Sequence, residues 1–297
     1  MRIGIFDSGL GGLLIAKAIR KAMPQYDYIY LGDTKRVPYG NRSHEAVYEF
    51  TKEAMNYLFK KENCAIVIIA CNTSSARALR RIQQEYLVDY NATRKIMGES
   101  PRKILGVLIP AAEEAAKYGK VGILGTLGTI TSNTFPDEIR KINRKTRVFQ
   151  NSAPMLVPLI EEGEKVLALQ FIKKYLKPFL NKKLAPVRSR PRQKTSATVT
   201  SGRPASNGID AVVLGCTHYP FYKNEIKKIL GPKVKLISQD EIIPKKLKEY
   251  FARHHEIEKR LAQKGKAKIL VTDITPNIKK LSQKWFGKNT KPELIHL

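Results

Sequence analysis

Short β-branched and aliphatic runs recur along the whole chain. Nearly every one ends in glycine or small polar residues and passes into a helical pattern. This alternation constrains the fold most, because strands joined through helices lie parallel in a sheet that the helices cover. Two of the runs are alike in a further respect. Residues 66–75 read IVIIACNTSS and residues 211–220 read AVVLGCTHYP. Each is a buried-strand run followed by a small residue, a cysteine and small polar residues. They lie far apart in the sequence and are expected to face each other.

Taken in order, residues 2–6 read as a strand. It runs into Asp7-Ser8-Gly9-Leu10-Gly11-Gly12 and then a helical pattern. Glycines there allow close backbone approach to a ligand, and a helix N-terminus favours an anion. The turn is not the GxGxxG of a dinucleotide site, and as a bare pattern it also fits an ordinary capped turn. Residues 28–31 form a second strand that ends in Gly32-Asp33-Thr34 and continues to Val37-Pro38-Tyr39-Gly40. Loops at the C-terminal ends of parallel strands build the site of such a sheet, which places Asp33 and Tyr39 in the right region. A helix is expected at 43–61, a strand at 65–70 and one helix at 74–86. Residues 88–103 are polar and read as a connection, and 104–108 as a strand stopped by Pro110. Strand 120–124 leads to a second turn rich in glycine and hydroxyls, Gly125 to Ser132, so the architecture repeats itself. A helix at 166–180, the strand at 209–214, one long charged helix at 243–264, a strand at 269–272 and a helix to Trp285 complete the pattern.

Composition narrows the class. The 297 residues are enough for two domains, and no apolar run approaches the roughly 20 residues that span a bilayer. The opening segment has no signal-peptide pattern, so a cytoplasmic protein is expected. Three cysteines, Cys64, Cys71 and Cys216, with no CxxC pair, argue against a disulfide framework or a structural zinc site. A net charge of +28 predicts salt-sensitive, non-specific polyanion binding. Residues 182–208 carry seven basic side chains and no acidic one, and read as a basic mobile insertion.

The two repeated cysteines carry the chemistry. A helix N-terminus after each strand is expected to favour the thiolate, and His218 stands two residues from Cys216. One nucleophilic cysteine would suit acyl transfer through a Cys–His pair. Two activated cysteines suit a two-base reaction instead, in which one thiolate removes a proton and the opposite thiol delivers another. Hydroxyls and N–H groups at Ser8, Asn72, Thr73 and Thr217 could hold a carboxylate.

The segments IGIFDSGLGG, YLGDTKRVPYG, ACNT, GILGTLGTITS, VPLIEEG and GCTHYP occur in this order. Through them the chain resembles the cofactor-independent glutamate racemases of the aspartate/glutamate racemase superfamily over most of residues 1–240. The resemblance implies an α/β fold of two parallel-sheet domains of similar topology with the active site in the cleft between them. The expected division is 1–100 plus 240–297 for the first domain and 101–239 for the second. It implies Cys71 and Cys216 as acid/base catalysts, with Asp7, His218, Asp33 and Glu161 as further acidic or assisting catalytic groups. Ser8, Pro38, Tyr39, Gly40, Asn72, Thr73, Thr126 and Thr217 are implied as the substrate-binding set. No cofactor or metal is called for, the substrate implied is glutamate, and D-glutamate feeds peptidoglycan synthesis. A homodimer stays open, as do an aspartate racemase and a racemase with an added nucleic-acid-binding role. Gly128 and Phe135 depart from the family's usual alanine and tyrosine.

Overall fold

The computed structural model describes residues 1–180, 186–187 and 208–297. The expected basic insertion at 182–208 lies almost entirely outside the described residues. Among the described residues, ten strands run β1 Arg2–Asp7, β2 Tyr28–Gly32, β3 Cys64–Ile69, β4 Lys103–Gly106, β5 Lys120–Gly125, β6 Arg147–Ser152, β7 Ala211–Gly215, β8 Lys235–Ile237, β9 Ala267–Val271 and β10 Glu293–Leu294. They form two sheets, a six-stranded one ordered β10-β9-β2-β1-β3-β4 and a four-stranded one ordered β6-β5-β7-β8. Every described pairing is parallel. The protein is therefore a two-domain α/β fold, as its alternating sequence requires.

The repeat is visible in the strand order. Within the first sheet the series β2-β1-β3-β4 has the same order as β6-β5-β7-β8 in the second. Thus β1 corresponds to β5, and β3 to β7. The cysteine-bearing runs are β3 and β7, so each thiol follows the third strand of its series. Their continuous apolar character reflects burial on both faces. In β3, Ile66 and Ile68 join Ile3 and Ile5 in one core layer, while Val67 and Ile69 join Phe6 and Leu31 in the other. Cys64 lies wholly inside this packing, as expected of a structural cysteine.

Several boundaries differ from the sequence reading. The single helix expected at 74–86 is three helices, Asn72–Arg77, Leu79–Gln84 and Tyr86–Ile96. Its last part fills what reads as a polar connection. Tyr86 and Tyr90 anchor it, their rings 5.7 Å apart, with Tyr90 5.2 Å from Phe59. Pro110 does not stop a strand. It sits in the first turn of helix Leu108–Ala115, where its missing N–H has no partner to lose. The long helix expected at 243–264 begins earlier and ends sooner, as Gln239–Arg253 followed by the short helix His255–Glu258. Asp240 and Glu241 in its first turn suit the positive helix end. Strand β4, which follows the expected division at residue 100, hydrogen-bonds to β3 at the edge of the six-stranded sheet. Among the described residues, no helix is long and apolar enough to cross a membrane.

Candidate active site

The C-terminal ends of β1 and β3 meet beside those of β5 and β7. One small cavity of about 20 Å³ lies there, lined by both thiols and by residues of both domains. From the first domain come Ser8, the 37–40 loop and Cys71-Asn72-Thr73. From the second come Thr126, Val157 and Cys216-Thr217-His218. All eight residues expected to bind substrate line this cavity, as do both cysteines and His218. Val37 and Val157 line it as well and were not anticipated, because an apolar residue in a loop or helix carries no chemical signature.

Cys71 caps the helix Asn72–Arg77, its sulfur 3.5 Å from the Ser74 N–H and 3.3 Å from Ser8 Oγ. The thiolate expected there is opposed by the surroundings. Burial pushes the Cys71 thiol up and the nearby Asp7 charge adds to it, while the Ser8 hydroxyl and the Ser74 N–H act in the other direction. The net direction is upward, so Cys71 rests as a thiol.

Cys216 has different company. Its sulfur lies 3.7 Å from His218 Nδ1, and His218 Nε2 lies 2.8 Å from Glu161 Oε1. Burial alone would push the imidazole down. The Cys216 and Glu161 contacts outweigh it and hold His218 well above the ordinary histidine range. The C-terminal helix braces this pair: the Trp285 ring meets His218 edge-on at 6.1 Å, and Asn277 Nδ2 donates to the Glu161 carbonyl at 3.0 Å.

Asp7 lies beneath the cavity rather than on its wall. Its carboxylate accepts from the N–H groups of Gly9 and Gly12 at 3.2 and 3.1 Å, and from Thr217 Oγ1 at 3.3 Å. The end of β1 is thereby tied to the loop of Cys216. Burial pushes the Asp7 carboxyl up, and His218 and the two N–H groups oppose it. Glu161 stands behind His218 and does not line the cavity. Asp33 is not brought to the cavity at all. Its oxygens accept from Arg36 Nε at 2.6 Å, Thr272 Oγ1 at 2.7 Å and the Tyr39 hydroxyl. It anchors the loop that carries Tyr39 into the site.

Glycines and hydroxyls let the two domains touch. A Cβ on Gly11 would stand 2.5 Å from Thr217 Oγ1 and 2.6 Å from His218 Nδ1, so only glycine permits that approach. Thr73 Oγ1 meets Thr126 Oγ1 at 2.9 Å across the cleft. Arg77, on the Cys71 helix, donates to the Gly128 carbonyl at 3.0 Å and to Thr131 Oγ1 at 2.8 Å. Neither Arg77 nor Thr129, which joins the hydroxyl cluster, was singled out in the sequence. Their roles depend on which segment of the other domain faces them.

No protein-family model matches the chain. It is 33% identical over 302 positions to the glutamate racemase of Sulfurihydrogenibium sp. (strain YO3AOP1), covering 100% of this chain and 98% of that protein. The crystal structure of a glutamate racemase isoform from Bacillus anthracis matches with a TM-score of 0.79 and 28% identity over 100% of this chain and 97% of that one. The glutamate racemase of Francisella tularensis, solved in complex with D-glutamate, matches with a TM-score of 0.78 and 28% identity over 99% and 97%. Fold, paired thiols and these likenesses together define an amino-acid racemase. The chain belongs to the glutamate racemase family.

Proposed function

We propose that the chain interconverts L- and D-glutamate by two-base proton transfer between Cys71 and Cys216, and so supplies D-glutamate for peptidoglycan. The observation that carries this is one cavity walled by two thiols with unequal neighbours. Cys71, held as a thiol, is the acid of the resting enzyme. Cys216, beside the imidazole of His218, is the base, and Glu161 holds that imidazole in place. Removal of the α-proton at one thiol and delivery from the other inverts the centre. After one turnover the roles are exchanged.

The α-proton next to an ionised carboxylate is weakly acidic. Its removal depends on excluding water and on donors already aimed at the developing negative charge. The Asn72 and Thr73 N–H groups after Cys71, with the hydroxyls of Ser8 and Thr73, are such donors. Holding thiol and Cα in contact adds at best about 7–11 kcal/mol. A cavity of about 20 Å³ has room for little more than one water, so the cleft must open to admit an amino acid. Racemisation of L-glutamate and L-aspartate by the purified protein tests the reading. Faster turnover of glutamate is expected, and equal or better turnover of aspartate overturns it. Cys71→Ala and Cys216→Ala are each expected to stop racemisation while one enantiomer still exchanges its α-proton with deuterated solvent.

A second role, polyanion binding, is favoured by a cavity of about 590 Å³ at the N-terminal ends of β1, β2 and β9, away from the thiols. Arg2, Arg20, Lys266, Lys268, Lys288 and Lys291 line it, against Asp27 and Glu293. Arg2 pairs with Glu62 and Lys268 with Glu293. Among the described residues, no carboxylate lies within ion-pair distance of the other four cations. Binding of a short single-stranded DNA measures the role. Reversing Arg20, Lys288 and Lys291 to Glu is expected to lower the salt slope by about 2. Reversing Lys227, Lys228 and Lys233 on another face leaves the slope nearly unchanged if the cavity is the site. An equal effect of both triplets reduces the binding to net charge alone.

A further inference from the structure

The chain passes between its two sheets twice. It leaves the six-stranded sheet at Val107, directly after β4. It returns through Ser238 and Gln239, directly after β8, into the helix Gln239–Arg253. Gln239 is 1% exposed and touches both passages. Its Nε2 donates to the Val107 carbonyl at 3.4 Å and to Asn72 Oδ1 at 2.6 Å. Its Oε1 accepts from Asn72 Nδ2 at 2.7 Å. Asn72 is 2% exposed and follows the Cys71 thiol directly.

These contacts fix an orientation. Two carboxamides paired face to face stay satisfied if both are turned over together, so the pair alone does not decide which end is nitrogen. The Val107 carbonyl does decide it. That carbonyl caps helix Leu108–Ala115 and would repel a second oxygen, so Gln239 presents Nε2 there and Oε1 away from it. Asn72 must then present Nδ2 to Oε1. One hydrogen on Asn72 Nδ2 and one lone pair on its Oδ1 remain for other use, with their identities set from Val107 through Gln239. The next residues of the same crossover reach the Cys216 side. Lys223 Nζ, which follows the GCTHYP loop, lies 2.7 Å from Asp240 and 2.8 Å from Glu241.

We propose that Gln239 is a positioning residue for the Cys71 arm of the site. It sets the orientation of the Asn72 carboxamide and holds the turn after Cys71 to both interdomain crossovers. This rests on the racemase reading above. Gln239 touches no reacting atom in it and acts through Asn72.

The test compares Gln239→Glu and Gln239→Met with the wild type in both directions of glutamate racemisation from pH 6 to pH 9, with thermal melting in parallel. The ionised carboxylate that Gln239→Glu introduces has the shape of the carboxamide but no donor for Val107 or Asn72. Its kcat/KM at high pH is expected to fall at least about tenfold, the scale of one buried group left unpaired. Once protonated, that carboxyl recovers one donor, so the ratio of variant to wild-type kcat/KM is expected to rise as the pH falls. Gln239→Met, with neither donor nor acceptor, is expected to show a similar loss with a ratio that does not change with pH. A ratio for Gln239→Glu that is flat with pH, whatever the melting temperature does, overturns the proposal. If Gln239→Glu fails to fold, Gln239→Met decides, and wild-type kcat/KM there overturns it too. A wild-type protein inactive on glutamate would instead sink the racemase reading, so the two failures are distinct.

Discussion

His218 Nε2 and Glu161 Oε1 stand 2.8 Å apart, and the other ring nitrogen of His218 faces the Cys216 sulfur at 3.7 Å. Charge on the imidazole is thus compensated on the side away from the thiol. The histidine is 2% exposed and yet held well above its ordinary range, because burial, which lowers it, is outweighed by the two contacts.

A raised histidine makes stability depend on pH in a defined sense. Below the unfolded-state value of about 6.5 both folded and unfolded chains are protonated, and the stabilisation is fully present. It is lost as the pH rises through the higher folded-state value. Glu161→Gln removes the compensating charge and lowers the folded-state value. The melting temperature of Glu161→Gln is therefore expected to fall further below the wild type at pH 6 than at pH 9. Melting curves at both values check this, and a gap that widens with pH contradicts the ion-pair reading.

The part of this arrangement that the sequence reveals is the part written locally. Strands buried on both faces must be continuous apolar runs, so β3 and β7 and the thiols after them are legible, and so is the repeat. His218 is legible because it is two residues from Cys216. What stays hidden is set by distant partners. Gln239 meets Asn72 across 167 positions and Thr272 meets Asp33 across 239, and neither spacing leaves a pattern. Asp33 falls in the right region because it ends a strand on the site-forming edge, and the family resemblance implies an assisting role for it. Its environment, Arg36, Tyr39 and Thr272, turns it into an anchor. Helix Tyr86–Ile96 is missed because its packed face is only the half-buried Tyr86, Leu87 and Tyr90 among polar residues.

Gly128 has no room for a methyl group. A Cβ there would lie 2.9 Å from Thr73 Cγ2 and 3.0 Å from the Gly40 carbonyl oxygen. Thr73 can give way only by disturbing its hydrogen bond to Thr126, and the backbone oxygen cannot give way alone. Gly128→Ala is expected to hold the cleft ajar and to raise KM for glutamate in both directions with little change in melting temperature. Unchanged kinetics would show that the two domains can shift to absorb the methyl.

Arg77 joins the Cys71 helix to Gly128 and Thr131 of the other domain, and its remaining nitrogen reaches the Arg42 carbonyl. Three directed donors on one planar group cannot be copied by an ammonium. Arg77→Ala is expected to cut kcat/KM about tenfold, the scale of losing one charged hydrogen bond or more. Arg77→Lys is expected to recover only a small part. Recovery to the wild-type rate by lysine would mean that charge, rather than the bridging geometry, is what the site uses.

Asp33 provides the sharpest separation of anchoring from chemistry. Its carboxylate is fully buried and accepts from Arg36, Tyr39 and Thr272. Asparagine there keeps an acceptor for Thr272 but turns an N–H toward the Arg36 side, leaving a buried donor unpaired. The cost is about 1–3 kcal/mol, with about 2–4 °C of melting temperature for each kcal/mol in a chain of this size class. The loop bearing Tyr39 loosens, so KM for glutamate is expected to rise. The two thiols are untouched, so α-proton exchange at saturating substrate should continue within a few-fold of the wild-type rate. If Asp33→Asn abolishes exchange while the protein stays folded and saturable, Asp33 takes part in proton transfer after all and its place as an anchor is wrong.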